Sequence, residues 1–195
     1  MIDLRAPDAA LRESYLAAHD EFVAIGEGHR DGDGVWVEAP DEGFAGVTFT
    51  RAGLETPEGF ERFAAHRLDQ AREDSPRPAG HVPCTFLWVI DDADPDTYLG
   101  SLSIRHRLTP FLLEAAGHIG YSVRPSARRR GVATAALRLA LPRAHDLGID
   151  PALLTCDETN VGSARVIESA GGVLEDVRSG KRRYWVPTGG WADLG

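Results

Sequence analysis

The sequence predicts a mixed α/β domain, a central sheet of parallel and antiparallel strands flanked by helices, and three observations predict it. Residues 117–136 read as a strand that runs through a basic, glycine-containing turn into a helix. A second strand, Ala152 to Cys156, leads in the same way to a helix opening near Asn160. Before both, Cys84 to Ile90 is an apolar run rich in aromatic and β-branched residues, and Tyr98 to Arg107 is its hairpin partner across the acidic turn Asp91 to Asp96. A chain of 195 residues with 43% hydrophobic and 26% charged content suits one soluble domain with a sizeable core.

The remaining elements follow in order. Leu11, Tyr15, Leu16, Ala18, Phe22 and Ile25 recur at helical spacing over Ala9 to Ile25, with Asp8 placed to cap the first turn. Residues 26–54 are rich in glycine and carry the acids Asp31, Asp33, Glu38, Asp41 and Glu42, which predicts loop with a short strand near Val35-Trp36-Val37. Such a loop either lines a binding site or is a solvated connection. Thr56-Pro57-Glu58 opens a second helix reaching about Arg72, because proline is tolerated in the first turn and Glu58 favours the dipole. Thr109 to Ala115 is a short apolar insert of one helical turn, and a helix is expected from Val132 to Leu147. Pro142 falls inside that last helix, where it removes a hydrogen bond at a cost of about 3 kcal/mol, so a kink or break is expected there.

The turn at 124–134 carries the chemistry. Pro125 ends its strand by lacking a ladder donor and by pushing Arg124 toward extended geometry. Arg128, Gly131 and Ala133 then form Arg-x-x-Gly-x-Ala, in which small residues let consecutive N–H groups face outward at a helix amino terminus. A pyrophosphate fits such a cradle; a solvated helix start is the plain alternative for three arginines in a row.

Composition excludes several classes. Cys84 and Cys156 are too few for a disulfide framework and lack zinc-site spacing, so both read as free thiols with no metal site. A net charge of −9 disfavours nucleic acid and suits a cationic partner. Asp3 and Asp8 stand where a secretory leader would be basic and then apolar, and no stretch approaches the ~18 apolar residues of a membrane span. A cytoplasmic protein with no membrane partner is the expectation.

From Leu99 to Val186 the chain resembles the GNAT superfamily of acyl-CoA-dependent N-acyltransferases. The matching features are Val123-Arg124-Pro125, Arg128-x-x-Gly131-x-Ala133, the Asn160-x-x-Ser163 helix, Gly171-Gly172 and two final strands. Gly117-His118-Ile119-Gly120-Tyr121 and Arg183-Tyr184-Trp185 are similar to a less-characterised bacterial branch of predicted acetyltransferases. The resemblance implies one domain over 1–195, with acceptor-side helices and loops in 1–80, an acyl-CoA-binding core in 81–186 and a tail from 187. It implies strands 117–123 and 152–157 that splay where the pantetheine arm of acetyl-CoA or coenzyme A enters. Val123 would pair with that arm, the N–H groups from Arg129 through Arg130, Gly131, Val132 and Ala133 to Thr134 would hold the pyrophosphate, and Arg128 to Arg130 would add charge. Asn160 and Ser163 would contact the coenzyme, although capping alone accounts for Asn160, and Arg165 would approach its phosphates.

The implied reaction is transfer of an acetyl group to a primary amine of a small molecule or peptide by direct attack, with a longer acyl donor or a non-catalytic coenzyme-binding module as alternatives. An alkyl amine has a pKa near ~10.4 and must lose a proton before it attacks. Glu114 and His118 are the candidate bases, with Asp157 and Glu158 behind them, and for His118 a structural hydrogen bond is the competing role. Many family members carry the leaving-group tyrosine seven residues after the motif asparagine, a position that is Ile167 here. Tyr121, Tyr184 and Cys156 are the candidate substitutes, with protonation by solvent as the alternative, and strand alternation keeps His118 and Tyr121 from facing one site together unless a bulge intervenes. Tyr184-Trp185-Val186 and Trp191 are a candidate edge for a homodimer.

Overall fold

A computed structural model describes residues 1–27 and 36–190. The expected acids Asp31 and Asp33, Val35 of the expected short strand, and Trp191 lie outside the described residues. Seven strands form the main sheet in the order β1 (Ile2–Arg5), β4 (Cys84–Asp91), β5 (Asp94–Arg105), β6 (Ile119–Val123), β7 (Ala152–Asp157), β9 (Lys181–Val186), β8 (Val173–Arg178). All neighbours are antiparallel except β6 and β7, so the sheet is mixed as expected. β2 (Trp36–Glu38) and β3 (Val47–Phe49) form a separate hairpin.

The helices form where capping and spacing direct them. Asp8 accepts from the Ala10 N–H (2.9 Å) and leads through a 3-10 turn into α1 (Arg12–Ala24). Thr50 caps the short α2 (Arg51–Leu54), and Thr56 caps α3 (Pro57–Asp69) with Pro57 in its first turn. The strand β1, the strand β3 and α2 carry no strong local signal: each spans four residues or fewer and is held by the partner it packs on.

Alternation along the strands sorts the core into two faces. Leu87, Val89, Leu102 and Ile104 pack with Ala136, Leu137, Ala140 and Leu141 of α4 (Val132–Asp146) and with Ile167 of α5 (Val161–Ser169). Trp88, Ile90 and Tyr98 face the opposite way, onto Tyr15 of α1 and Phe60 and Phe63 of α3. Of the kink or break expected at Pro142, the break does not occur: α4 is continuous through it, because Leu141 and Ala144 on either side are fully buried and their packing outweighs one lost hydrogen bond. Nor is the apolar strand Tyr184-Trp185-Val186 an edge. β9 is paired on both sides and buries Tyr184 and Val186, while the edge is β8, which exposes Val173, Leu174 and Val177.

The parallel pair controls the site. β6 and β7 meet at a single register, Ile119 with Leu154, and diverge beyond it. Below that point they are clasped. The His118 N–H donates to Leu153 O (2.7 Å), and the Leu153 N–H donates back to His118 Nδ1 (2.9 Å). Gly117 brings the chain there at φ +67, and a Cβ on it would lie 2.4 Å from Leu153 O. Gly117→Ala therefore forces a left-handed side chain against backbone that cannot retreat, and the variant is expected to lose about 3 kcal/mol or more in urea unfolding. An unchanged midpoint would mean that the clasp yields.

Candidate active site

A cavity of about 1080 Å³ runs through the gap between β6 and β7. On one side it is walled by Arg128, Arg129, Gly131, Val132, Ala133 and Thr134 at the start of α4 and by Asn160, Ser163 and Arg165 at the start of α5. On the other it is walled by Phe63 and Arg67 of α3, Phe86 and Trp88 of β4, and Ser101, Ser103 and Arg105 of β5, with Gly120 to Val123 of β6 between the two halves.

The first half is an anion cradle. Gly131 is the α4 cap at φ +78 and ψ 1 and supplies no side-chain hydrogen bond, so the first N–H groups of the helix face outward. Ala135 is the first residue bonded back to Gly131 O (3.0 Å), which leaves the N–H groups of Val132, Ala133 and Thr134 directed at the cavity end. Arg129 stands at φ +64, a left-handed conformation that costs a side-chain-bearing residue about 1 kcal/mol, and it curls the backbone around the cradle.

The three arginines separate into different roles. Arg128 is committed to the protein: its guanidinium pairs with Glu27 (2.7 Å) beyond α1, its Nε donates to Val123 O (3.1 Å), and its Cζ lies 5.6 Å from the Phe22 ring centre. Arg129 is exposed on the cavity wall. Arg130 is exposed and lies off the wall, on the side of Asp91. The neighbouring Arg124 binds Glu21 (2.7 Å), which also accepts from the Ser126 N–H (2.9 Å), so α1 fixes the turn from behind.

The N–H groups of β6 are sorted by its pairing with β5. Arg124 N–H donates to Leu99 O (2.8 Å) and Arg105 N–H to His118 O (2.8 Å), so the even-numbered residues of β6 bond toward β5. The backbone groups of Tyr121 and Val123 then point toward β7, into the gap. Val123 O accepts from Arg128, and its N–H points into the gap.

The side chains expected to do proton transfer are not gathered together. Glu114 belongs to a π-helical turn, Leu112–Ala116, and pairs with Arg178 (2.9 Å) away from the cavity wall. His118 is 8% exposed, lies off the wall, and is engaged by Leu153. Burial, and then the positive charge of Arg105, push its pKa down to about 4. The structural hydrogen bond is thus the role its geometry supports. Because the folded pKa lies below the usual ~6.5, His118 contributes stability above about pH 6.5 that is lost as pH falls toward 4, up to about 3 kcal/mol. Urea midpoints between pH 7 and 4.5 should fall for the wild type and fall less for His118→Gln; parallel slopes would contradict this.

Tyr121 does reach the cavity. Its hydroxyl lies 2.7 Å from Ser163 Oγ, and burial pushes its pKa up to about 12, so it stays protonated. Tyr184 is 1% exposed and donates to Glu168 (3.0 Å), and Cys156 is buried; both lie off the wall. Asp157 lines the cavity and Glu158 does not; Asp157 hydrogen-bonds Lys181. Asn160 Oδ1 accepts from the Ser163 N–H (3.0 Å), so the cap is real, and both residues still border the cavity. Ile167 is fully buried, and a Cβ on Gly172 would sit 2.6 Å from its Cγ2, which leaves that position no route to the site.

The second half escaped the sequence reading. Ser101, Ser103 and Arg105 alternate with Leu102 and Ile104 along β5, a polar stripe in an otherwise apolar strand, and that period was the available signal. Three described acids of the segments 31–42 and 91–96 make contacts within the protein. Glu38 is tucked beside His66 (4.0 Å), Asp41 accepts from the Ala79 N–H (2.9 Å), and Asp91 holds the terminal amine (2.7 Å).

The strands are clasped at one end and open at the other, with a cradle of helix N–H groups beside the opening. Residues 30–173 match the model of the GNAT acetyltransferase domain, and the chain belongs to that family of acyl-CoA-dependent N-acyltransferases. No curated protein matches it in sequence. Among solved structures it is similar to the microcin C7 self-immunity acetyltransferase MccE in complex with acetyl-CoA and AMP, at 14% identity and a TM-score of 0.57, over 95% of this chain and 92% of that one. It is similar also to RimL, the ribosomal L7/L12 α-N-protein acetyltransferase in complex with coenzyme A, at 16% identity and 0.56, over 95% and 93%. A third is the ribosomal-protein-S5-alanine acetyltransferase from Vibrio fischeri, at 17% identity and 0.54, over 97% and 93%. At these identities the likeness is one of fold. No helix among the described residues is long and apolar enough to cross a membrane.

Proposed function

We propose that the protein transfers an acetyl group from acetyl-CoA to a primary amine of a small molecule or peptide, by direct attack within a ternary complex. The observation that carries this is the uncapped amino terminus of α4, with Gly131 in the left-handed region and no heavy atom within 4 Å of where its Cβ would be. That open, positively polarised cradle fits a pyrophosphate, and the gap beside it fits an extended arm.

Bound acetyl-CoA supplies the acyl group as a thioester. The N–H groups of Val132, Ala133 and Thr134 hold its diphosphate, and Arg129 adds charge at the rim. Val123 N–H polarises the acyl carbonyl, which favours the charge that develops on its oxygen. Asn160 and Ser163 border the arm from α5, and Tyr121 donates a proton or hydrogen bond to the departing sulfur. The amine reaches the carbonyl from the half walled by Trp88, Ser103 and Arg105, and Asp157 is the carboxylate on the wall that can accept its proton.

In this reading residues 1–195 form one acyltransferase unit acting in the cytoplasm. Segments 1–80 shape the acceptor side through Phe63 and Arg67, 81–186 hold the coenzyme, and 187–195 are a tail. A second copy would meet the apolar edge β8. The experiment is thermal unfolding with acetyl-CoA, coenzyme A and ATP. Saturation at about 100 Kd should raise the midpoint by about 5 to 10 °C with either coenzyme and not with ATP. No shift with any coenzyme would reject the reading.

A further inference from the structure

We infer that the amine acceptor carries an anionic group, a carboxylate or a phosphate, and that Arg105 receives it with Arg67 beside it; this rests on the acyltransferase reading above. Arg105 closes the polar stripe of β5 on the cavity wall, following Ser101 and Ser103 on the same face. Among the described residues its guanidinium makes only long contacts, from one nitrogen to Gly117 O (3.3 Å) and Ala116 O (3.4 Å). A guanidinium has five N–H donors in a fork that matches a carboxylate or phosphate, so most of this one remains for a ligand. No ion pair joins Arg105 to a carboxylate among the described residues.

The surroundings keep that fork accessible and positive. A Cβ on Gly120 would lie 3.4 Å from Ser103 Oγ and 3.5 Å from an Arg105 terminal nitrogen, so glycine leaves the serine and the arginine uncovered by the neighbouring strand. Arg67 is 8% exposed and stands with its Cζ 4.3 Å from the Phe86 ring centre and 5.2 Å from that of Phe63, which fixes a second cation on the wall. Arg67 and Arg105 line the same cavity. The described carboxylates of the wall are matched already, Glu27 to Arg128 and Asp157 to Lys181. A cleft with that balance concentrates anions and repels polycations, the reverse of what the net charge of −9 would favour. The aromatic rings beside Arg67 suit an acceptor with an apolar body.

The test uses matched amines with acetyl-CoA, followed by thiol release. L-Phenylalanine is compared with phenylalaninamide and phosphoethanolamine with ethanolamine, with spermidine as the polycation. The wild type should favour the anionic member of a pair by about tenfold or more in kcat/KM, and the pair with the larger ratio distinguishes carboxylate from phosphate. Arg105→Gln should bring that ratio near one by raising KM for the anionic amine, and Arg105→Lys should recover part of it. A purely structural role for Arg105 would instead slow both members alike. Equal rates within both pairs, a preference for spermidine, an unchanged ratio in Arg105→Gln, or no turnover of either anionic amine by protein that acetyl-CoA stabilises would each overturn the inference. Loss of the acetyl-CoA shift in the wild type would reject the acyltransferase reading itself.

Discussion

Gly131→Glu is expected to abolish the rise in thermal midpoint with acetyl-CoA and to raise the KM for acetyl-CoA at least about a hundredfold, because it acts on the cradle in two ways. It sets a carboxylate at the positive end of α4, where the proposed diphosphate would sit, and like charges at contact distance repel strongly once water is excluded. It also requires a side chain at φ +78, which costs roughly 1 to 2 kcal/mol. Gly131→Ala separates the two. No heavy atom lies within 4 Å of the new Cβ, so alanine carries the backbone cost without the charge and without a clash inside the protein. The alanine variant should unfold somewhat earlier and still respond to coenzyme, and the glutamate variant should not respond. Equal responses from wild type and glutamate variant would move the phosphate site away from α4.

This cradle was legible because its determinants are local. A glycine three residues after an arginine, a proline ending the strand and small residues opening a helix act through backbone geometry that neighbours in sequence impose. The same holds for the caps Asp8, Thr56 and Asn160, each of which accepts the N–H expected of it. What was not legible depends on pairing between distant segments. His118 reads from sequence equally as a base or as a core residue, and only the arrival of Leu153 beside it decides for the clasp. Arg128 reads as a phosphate ligand until Glu27, a hundred and one residues earlier, takes its guanidinium. Pro142 reads as a kink or break because local propensity opposes it, and the buried packing of α4 keeps the helix unbroken. The net charge of −9 suits a cationic partner, yet the acids Glu38, Asp41 and Asp91 are engaged by His66, the Ala79 N–H and the terminal amine.

The position of the acid follows from the same reasoning and yields the second large effect. With Ile167 sealed in the core, the proposed proton source for the departing thiolate is Tyr121, whose hydroxyl approaches the mouth of α5 from β6. Burial raises its pKa to about 12, so across any ordinary assay range the phenol is neutral and can donate. Tyr121→Phe removes the donor and retains the ring, and it should lower kcat about a hundredfold with little change in the KM for acetyl-CoA. The pH profile gives the sign. A tyrosine with a raised pKa imposes no descending limb below about pH 11, and the amine must be neutral to attack, so the wild-type rate should climb with pH toward ~10. The phenylalanine variant should show the same ascending limb at a lower level, since the base side of the reaction is untouched. Ser163→Ala tests the geometry behind this, because it removes the 2.7 Å partner that aims the hydroxyl and should lower kcat by less than the tyrosine change. If Tyr121→Phe keeps full kcat, the thiolate leaves without help from this chain and the hydroxyl serves only to fasten β6 to α5.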